Sequence, residues 1–176
     1  MKKFPFPDQK EFTLFKKLHT PQKIQDFLDA LPYNFEPEGE TCRAPMGVLA
    51  SGVAHCIEGA MLAALALRMH GEKPLLLDLT AASYDDDHVV ALFRRGKYWG
   101  AISKTNHAVL RYRDPVYRSV RELAMSYFHE YSEKKGRKTL RSFAGPLNLT
   151  RFDARGWMTT TEDVWYVAQY CVDAPH

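Results

Sequence analysis

Cys56 and His88 are the two residues whose types and placement best fit a shared chemical role. Cys56 lies at the start of an alanine- and leucine-rich segment, where the sequence predicts a long helix. The helix dipole and the free N–H groups of a first helical turn favour the reactive thiolate. The same N–H groups can hold an oxyanion as a tetrahedral intermediate forms. The position suits a nucleophile, although most single cysteines are small buried core residues.

His88 follows three aspartates and opens a segment rich in β-branched residues, so we expect it at the first position of a strand. A strand end beside a helix N-terminus allows an imidazole to reach a thiol. In such a Cys–His pair the imidazole takes the thiol proton, the thiolate attacks a carbonyl, and the imidazolium protonates the leaving amine. The pair therefore predicts thiol acyl transfer, and the alternative is a strand-end histidine that serves only as a turn residue.

The sequence predicts no metal site and no cofactor. The aspartates at 85–87 are a poor metal signal, because three adjacent side chains cannot all converge on one ion. His55 and Cys56 are also adjacent, and we expect them to point to different faces of the helix, unlike the ligands of a zinc site. A glycine-rich phosphate loop is missing as well.

Composition favours one soluble domain that spans residues 1–176. The net charge of +3, from 24 basic and 21 acidic residues, is too balanced to predict nucleic-acid binding. Residues 1–7 lack the apolar core of a signal peptide, and no apolar segment is long enough to span a bilayer. We therefore expect a cytoplasmic protein that does not bind membranes and whose three cysteines are free thiols. The oligomeric state is left open.

Two helices and a loop are expected in the N-terminal half. Thr20 and Pro21 predict the start of a helix that Pro32 stops. Residues 33–47 are rich in Pro, Gly and Glu, which predicts a long loop. The next segment, 53–70, is apolar nearly all round, which predicts a helix buried between other layers.

Three short strands should follow the buried helix, and the last two should form a hairpin around Arg95-Gly96-Lys97. Ser119 and Glu122 fit a capping box at the start of another helix, which should run towards Gly136. Residues 148–157 look irregular, and a short helix should end the chain. The predicted strands are 75–79, 88–93 and 98–103. Together these elements predict an α+β fold in which a buried helix packs on a small antiparallel sheet, with flanking helices.

Residues 45–106 resemble the transglutaminase-like superfamily, whose members share the papain-like thiol fold. The resemblance rests on Gly52-Val53-Ala54-His55-Cys56, on the Ala/Leu-rich helix that ends at Arg68-Met69-His70-Gly71, and on Gly96-Lys97-Tyr98-Trp99. In that family a strand follows the nucleophile helix, then a His begins another strand, and a Gly–aromatic hairpin follows. The remainder of the chain is similar to an uncharacterised bacterial branch of the family.

The resemblance implies that Cys56 is the nucleophile and His88 the base. The family's third residue, an Asp that orients the His, falls here on Ser103. A hydroxyl can accept a hydrogen bond from the imidazole but brings no full charge to stabilise an imidazolium. Asn106 is an alternative orienting residue, as Asn is in papain-like proteases, and Asp87 is a third, weaker option.

The leading expectation is a transglutaminase-like thiol enzyme that acts on a peptide or an amide-containing small molecule through a thioester. Hydrolysis is favoured over crosslinking, because water needs no second binding site. The alternative is a catalytically degenerate domain that binds a peptide or small ligand, and a purely structural protein is the third possibility.

Overall fold

A computed structural model describes residues 10–133 and 135–176, and it shows a mixed α+β chain with a five-stranded sheet. Residues 1–7, for which the sequence predicts no signal peptide, lie outside these ranges. The helices are α1 (Lys10–Lys17), α2 (Pro21–Ala30), α3 (Pro45–Ser51), α4 (Cys56–Met69), α5 (Val120–Met125) and α6 (Trp165–Asp173). The strands are β1 (Leu75–Ala81), β2 (His88–Arg95), β3 (Tyr98–Ile102), β4 (Arg113–Tyr117) and β5 (Leu140–Asn148).

The sheet has the order β4-β3-β2-β1-β5, and every neighbouring pair is antiparallel. β2 is the central strand, and β2 and β3 form the expected hairpin, in which Arg95 pairs with Tyr98. His88 is the first residue of β2 and lies opposite Leu79 near the end of β1. The strand that carries His88 is therefore held on both sides.

Helix α4 is the centre of the larger core. Its side chains are buried from Ile57 to Leu67, as the all-round apolar composition predicts. It packs chiefly against β2, whose Val89, Ala91 and Phe93 face it, while α1 and α2 also contact α4. The opposite face of the sheet has a second, smaller core. That core includes Leu77, Val90, Leu92, Leu123, Tyr127 and Tyr131.

Several elements differ from the sequence prediction. The buried helix begins at Cys56 and not at residue 53, because the preceding residues enter it in an extended conformation. Residues 45–47 were expected in a loop but open the short helix α3, with Pro45 in its first turn. The helix capped by Ser119 ends at Met125 and not near Gly136. Strands β4 and β5 were not predicted.

No helix in the described parts of the chain is both long enough and apolar enough to cross a bilayer.

Candidate active site

Cys56 is the first residue of α4, where the free N–H groups of a helix point outward. Its Sγ lies 4.0 Å from Nδ1 of His55 and 4.0 Å from the carbonyl oxygen of Asp87, the residue before β2. The side chain is only partly buried, whereas Cys42 and Cys171 are fully buried. Cys56 therefore lies where the start of α4 meets the start of β2.

The short segment between α3 and α4 is fixed by a glycine cap and by backbone hydrogen bonds. Helix α3 ends at Ser51 and is capped by Gly52, whose φ of 72° is a left-handed conformation that glycine adopts without strain. Ala54 then forms a parallel bridge with Tyr33, in which the Ala54 amide donates to the Pro32 carbonyl at 3.3 Å. The Asn34 amide donates to the Ala54 carbonyl at 3.0 Å. These bonds set the direction in which Cys56 enters the helix.

His88 is buried and is held by Ser103, whose Oγ lies 2.7 Å from Nε2 of the imidazole. Ser103 directly follows β3, and it is the position that the transglutaminase-like resemblance indicated. Because Nε2 is occupied by Ser103, Nδ1 is the nitrogen of His88 that remains for the thiol. The structure thus brings Cys56, His88 and Ser103 into one cluster.

The two histidines favour the ionised thiol. Burial alone raises the pKa of Cys56, but hydrogen bonds with His55 and His88 outweigh it and lower this pKa to about 6. The buried Cys42 and Cys171 behave in the opposite way, since burial raises the pKa of each thiol to about 12. Cys56 is thus a thiolate at neutral pH, whereas the other two cysteines are not.

Ser103 is itself positioned by helix α2. The side chain of Gln25, which is buried, donates to the Ser103 carbonyl at 2.8 Å and accepts from the Ser103 amide at 2.9 Å. The next residue, Lys104, buries its ammonium group at the end of α2 and donates to the carbonyls of Leu28 and Leu31. Helix α2 therefore fixes the backbone that carries Ser103.

Gly59 allows this chain to approach α4. A Cβ at position 59 would collide with Cβ of Lys104 and lie 3.0 Å from its Cγ. A larger residue one turn after Cys56 would therefore displace the segment that holds Ser103.

Replacing Gly59 by alanine should lower the free energy of unfolding by about 1–3 kcal/mol, because overpacking costs more than helix propensity returns. Chemical denaturation of both proteins would measure the change. In an exposed helix the same substitution stabilises by roughly 1 kcal/mol. A stabilised Gly59→Ala variant would therefore show that Lys104 moves away freely, contrary to this packing.

His55 contacts the thiol as well, which corrects the expectation that adjacent His55 and Cys56 point apart. His55 is the residue before α4, so its backbone is extended and its ring turns back towards Sγ of Cys56. Its amide donates to Glu58 at 3.0 Å, and its Nε2 lies 2.9 Å from the carbonyl oxygen of Thr41. An expectation based on helical geometry failed here because His55 is not yet in the helix.

Glu58 is fully buried beneath His55 and is surrounded by donors. It accepts from the Arg43 amide at 2.9 Å, from the Thr41 hydroxyl at 2.9 Å and from the Asn34 amide group at 3.3 Å. Sequence reasoning missed Glu58, Gln25 and the role of His55. For Glu58 a signal was present, because Glu three residues after the N-cap residue is typical of a capping box.

Asn106 and Asp87, the two alternative orienting residues, do not hold the imidazole of His88. Asn106 lies beyond the end of β3 on an exposed turn and lines the cavity in front of the thiol. The Asp87 carboxylate accepts from the Ala81 amide at 2.7 Å and so closes the turn between β1 and β2. The geometry therefore favours Ser103 over both as the partner of His88.

An open cavity of about 480 Å³ leads to the thiol. Cys56, His55 and His88 line it, together with the exposed residues Phe35 and Val109. Acidic residues make up much of its lining, namely Glu36, Asp85, Asp86, Asp87 and Glu130. The cavity can admit an extended chain or a small molecule to the sulfur.

Within residues 10–133 and 135–176, no group of three His, Cys, Asp or Glu side chains is placed to hold a metal ion. No family model matches the sequence, and no curated protein is significantly similar to it.

Proposed function

We propose that the protein is a thiol acyl-transfer enzyme of transglutaminase-like type, which acts on an amide or peptide bond through a thioester at Cys56. The observation that carries this proposal is the cluster at the start of α4: a partly exposed thiol and a histidine whose Nε2 is held 2.7 Å from a buried hydroxyl. The order of nucleophile helix, strand, histidine strand and hairpin supports a papain-like core.

The first half of the reaction forms the thioester. The Cys56 thiolate attacks the carbonyl carbon, and the oxygen takes up negative charge near the backbone N–H groups of the first turn of α4. When the tetrahedral intermediate collapses, the carbon–nitrogen bond breaks and an imidazolium beside the sulfur gives its proton to the leaving amine. The amine leaves, and the acyl group stays on Cys56.

The second half regenerates the thiol. A water molecule gives a proton to the neutral imidazole and attacks the thioester carbon, and the carbon–sulfur bond breaks to release a carboxylic acid and the thiolate. The open cavity lets water reach the thioester. Hydrolysis is favoured over transfer to a second amine, because water needs no second binding site. The substrate proposed is a peptide or an amide-containing small molecule.

Acyl-enzyme formation with 4-nitrophenyl acetate tests this proposal directly. At neutral pH we expect a burst of nitrophenolate equal to the enzyme concentration, followed by slower turnover, with one acetyl group on Cys56 in the mass spectrum of quenched protein. Hydroxylamine should remove that group, because it is a thioester.

Cys171→Ala is the matched control, since that cysteine is buried away from the cavity and the variant should give the same burst. Cys56→Ala should give none. Folded wild-type protein that shows no burst and no acetyl group on Cys56 would instead support the degenerate binding domain, which the hydroxyl of Ser103 in place of a carboxylate would then explain.

A further inference from the structure

His55 has the surroundings of a charged imidazolium. Its Nε2 must carry a hydrogen, because it lies 2.9 Å from the Thr41 carbonyl oxygen, which can only accept. The same nitrogen lies 3.4 Å from the Glu36 carboxylate and 3.6 Å from the Glu58 carboxylate. Its other nitrogen, Nδ1, lies 4.0 Å from Sγ of Cys56. One ring thus connects two carboxylates with the thiol.

The charges that face His55 favour a cation. Glu36 approaches from the loop after α2, Glu58 from α4, and the Cys56 thiolate from the first position of that helix. Opposing them is Arg43, whose Nη1 lies 3.5 Å from Glu58. With the thiol ionised, three negative groups therefore face one guanidinium, and a proton on His55 removes half of the resulting excess of negative charge.

The bond between Ser103 and His88 favours a neutral ring at His88. Ser103 is fully buried, and His88 Nε2 is the only hydrogen-bond partner of its hydroxyl in the described chain. Leaving the hydroxyl hydrogen without an acceptor would cost about 1–3 kcal/mol. Ser103 therefore donates to Nε2, which must accept through its lone pair. The ring hydrogen of His88 is then on Nδ1, where it can donate to the Cys56 sulfur.

We propose that His55, and not His88, carries the positive charge that balances the Cys56 thiolate, while His88 supplies a neutral hydrogen bond. This assignment rests on the proposed thiol chemistry and names the residue that provides the proton for it. His55 Nδ1–H gives its proton to the leaving amine when the carbon–nitrogen bond breaks, and it regains one from the attacking water. The buried Glu58 takes the stabilising part that the transglutaminase-like pattern gives to an aspartate at position 103.

The raised pKa of His55 supports a charge on this ring. Burial lowers its pKa, but the hydrogen bond and charge of Cys56, the charge of Glu58 and the bond to Thr41 raise it to about 9. Since the thiol has a pKa of about 6, thiolate and imidazolium coexist between about pH 6 and 9.

Asparagine variants of three histidines test the proposal through the thiol pKa, measured as the pH dependence of iodoacetamide labelling at Cys56. His55→Asn removes the charge but keeps a good N-cap residue. It should raise the thiol pKa by more than ~1.5 pH units, because a cation beside the sulfur is lost. His88→Asn removes only a neutral hydrogen bond, so we expect a rise of roughly 0.5 units. His107→Asn, at the exposed wall of the cavity, should leave it unchanged.

A larger shift for His88→Asn than for His55→Asn would overturn the assignment. Nitrogen-15 spectra of the wild-type imidazoles at pH 7.5 keep the test independent of any variant's folding. We expect hydrogens on both nitrogens of His55 and on Nδ1 alone of His88, and the reverse pattern would contradict the proposal. Neither measurement needs turnover, so a protein without acyl transfer could still confirm the charge on His55.

Discussion

At pH 6, Cys56 is expected to react with iodoacetamide about tenfold faster than free cysteine, with a rate that rises around a midpoint near pH 6. A group of pKa about 6 is half ionised at that pH, whereas a free thiol of pKa ~8.5 is ionised to only about 0.3%. Cys56 therefore has a roughly 160-fold larger thiolate fraction than free cysteine. This advantage is partly offset, because a less basic thiolate is a weaker nucleophile by about tenfold.

The expected rate of Cys56 relative to free cysteine depends strongly on pH. At pH 7 the free thiol is about 3% ionised, so the expected advantage of Cys56 falls to only about two- to threefold. At pH 9 free cysteine should react faster than Cys56, since both are then mostly thiolate and the more basic one is the better nucleophile. The midpoint of the labelling curve is therefore more decisive than a rate at any single pH.

Cys42 and Cys171 provide internal controls in the same molecule. Burial raises the pKa of each thiol to about 12, and neither side chain is accessible, so neither should be labelled in the folded protein. Peptide mapping of the adduct distinguishes all three cysteines. A midpoint near pH 8.5 at Cys56 would show that neither histidine stabilises the thiolate, and the proposed chemistry would lose its basis.

Amide hydrolysis should depend on pH differently from alkylation, because it also needs a proton for the leaving amine. Its rate is expected to rise through about pH 6 with the thiolate and to fall through about pH 9, where His55 loses its proton. Alkylation should show only the lower transition.

The elements around Cys56 were predictable because their signals are local. An apolar, alanine-rich segment that ends in Gly71 specifies a buried helix, and Arg95-Gly96-Lys97 between two β-branched or aromatic runs specifies a hairpin. The structure confirms both elements and the α+β class. Helix α4 packs on β2, and Cys56 and His88 are the first residues of these two elements.

The edge strands could not be recognised in this way. β5 contains Gly145 and Pro146, which break the ladder pattern and are tolerated because the strand lies at the edge of the sheet. β4 is short and contains Pro115, and its alternation is between half-buried and exposed side chains. Such strands form because a neighbouring strand offers hydrogen-bonding groups, which is a property of the assembled sheet and not of their own sequences.

The contacts that tune the thiol are also non-local. Gln25 reaches Ser103 across 78 positions of sequence, and the surroundings of His55 combine the loop after α2 with the first turn of α4. Whether α4 begins at residue 53 or at Cys56 decides the direction of His55, and a boundary of that precision cannot be read from periodicity. The helix that carries Cys56 and the strand that begins at His88 were predictable, whereas the contacts of His55 were not.

Replacing Ser103 by aspartate should move the positive charge from His55 to His88. A carboxylate at this position has no hydrogen to donate, so Nε2 of His88 must donate instead, and the ring gains a proton to keep its bond to the sulfur. We expect nitrogen-15 spectra to show hydrogens on both nitrogens of His88. The acyl-transfer rate should rise by about tenfold or more, as a buried carboxylate stabilises an imidazolium better than a hydroxyl does.

Ser103→Ala is the matched variant, because it removes the hydroxyl without adding charge. It should remove the hydrogen-bond partner of His88 Nε2 and so lower the acyl-transfer rate by about tenfold, with little change in the charge of His55. Aspartate at a fully buried position will also cost stability, about 1–3 kcal/mol, so both variants need a denaturation curve as a folding control.

The combination of Ser103→Asp with His55→Asn tests whether a positive charge on His88 can replace the one on His55 in balancing the thiolate. If His55 carries the charge only because the hydroxyl of Ser103 does not stabilise an imidazolium at His88, the loss of His55 should matter far less once position 103 holds a carboxylate. The effect of His55→Asn on the thiol pKa should then shrink from more than ~1.5 units to under ~0.5. Equal effects of His55→Asn in both backgrounds would mean that His55 and Ser103 act independently. The presence of a serine and not an aspartate at position 103 would then have no connection with His55.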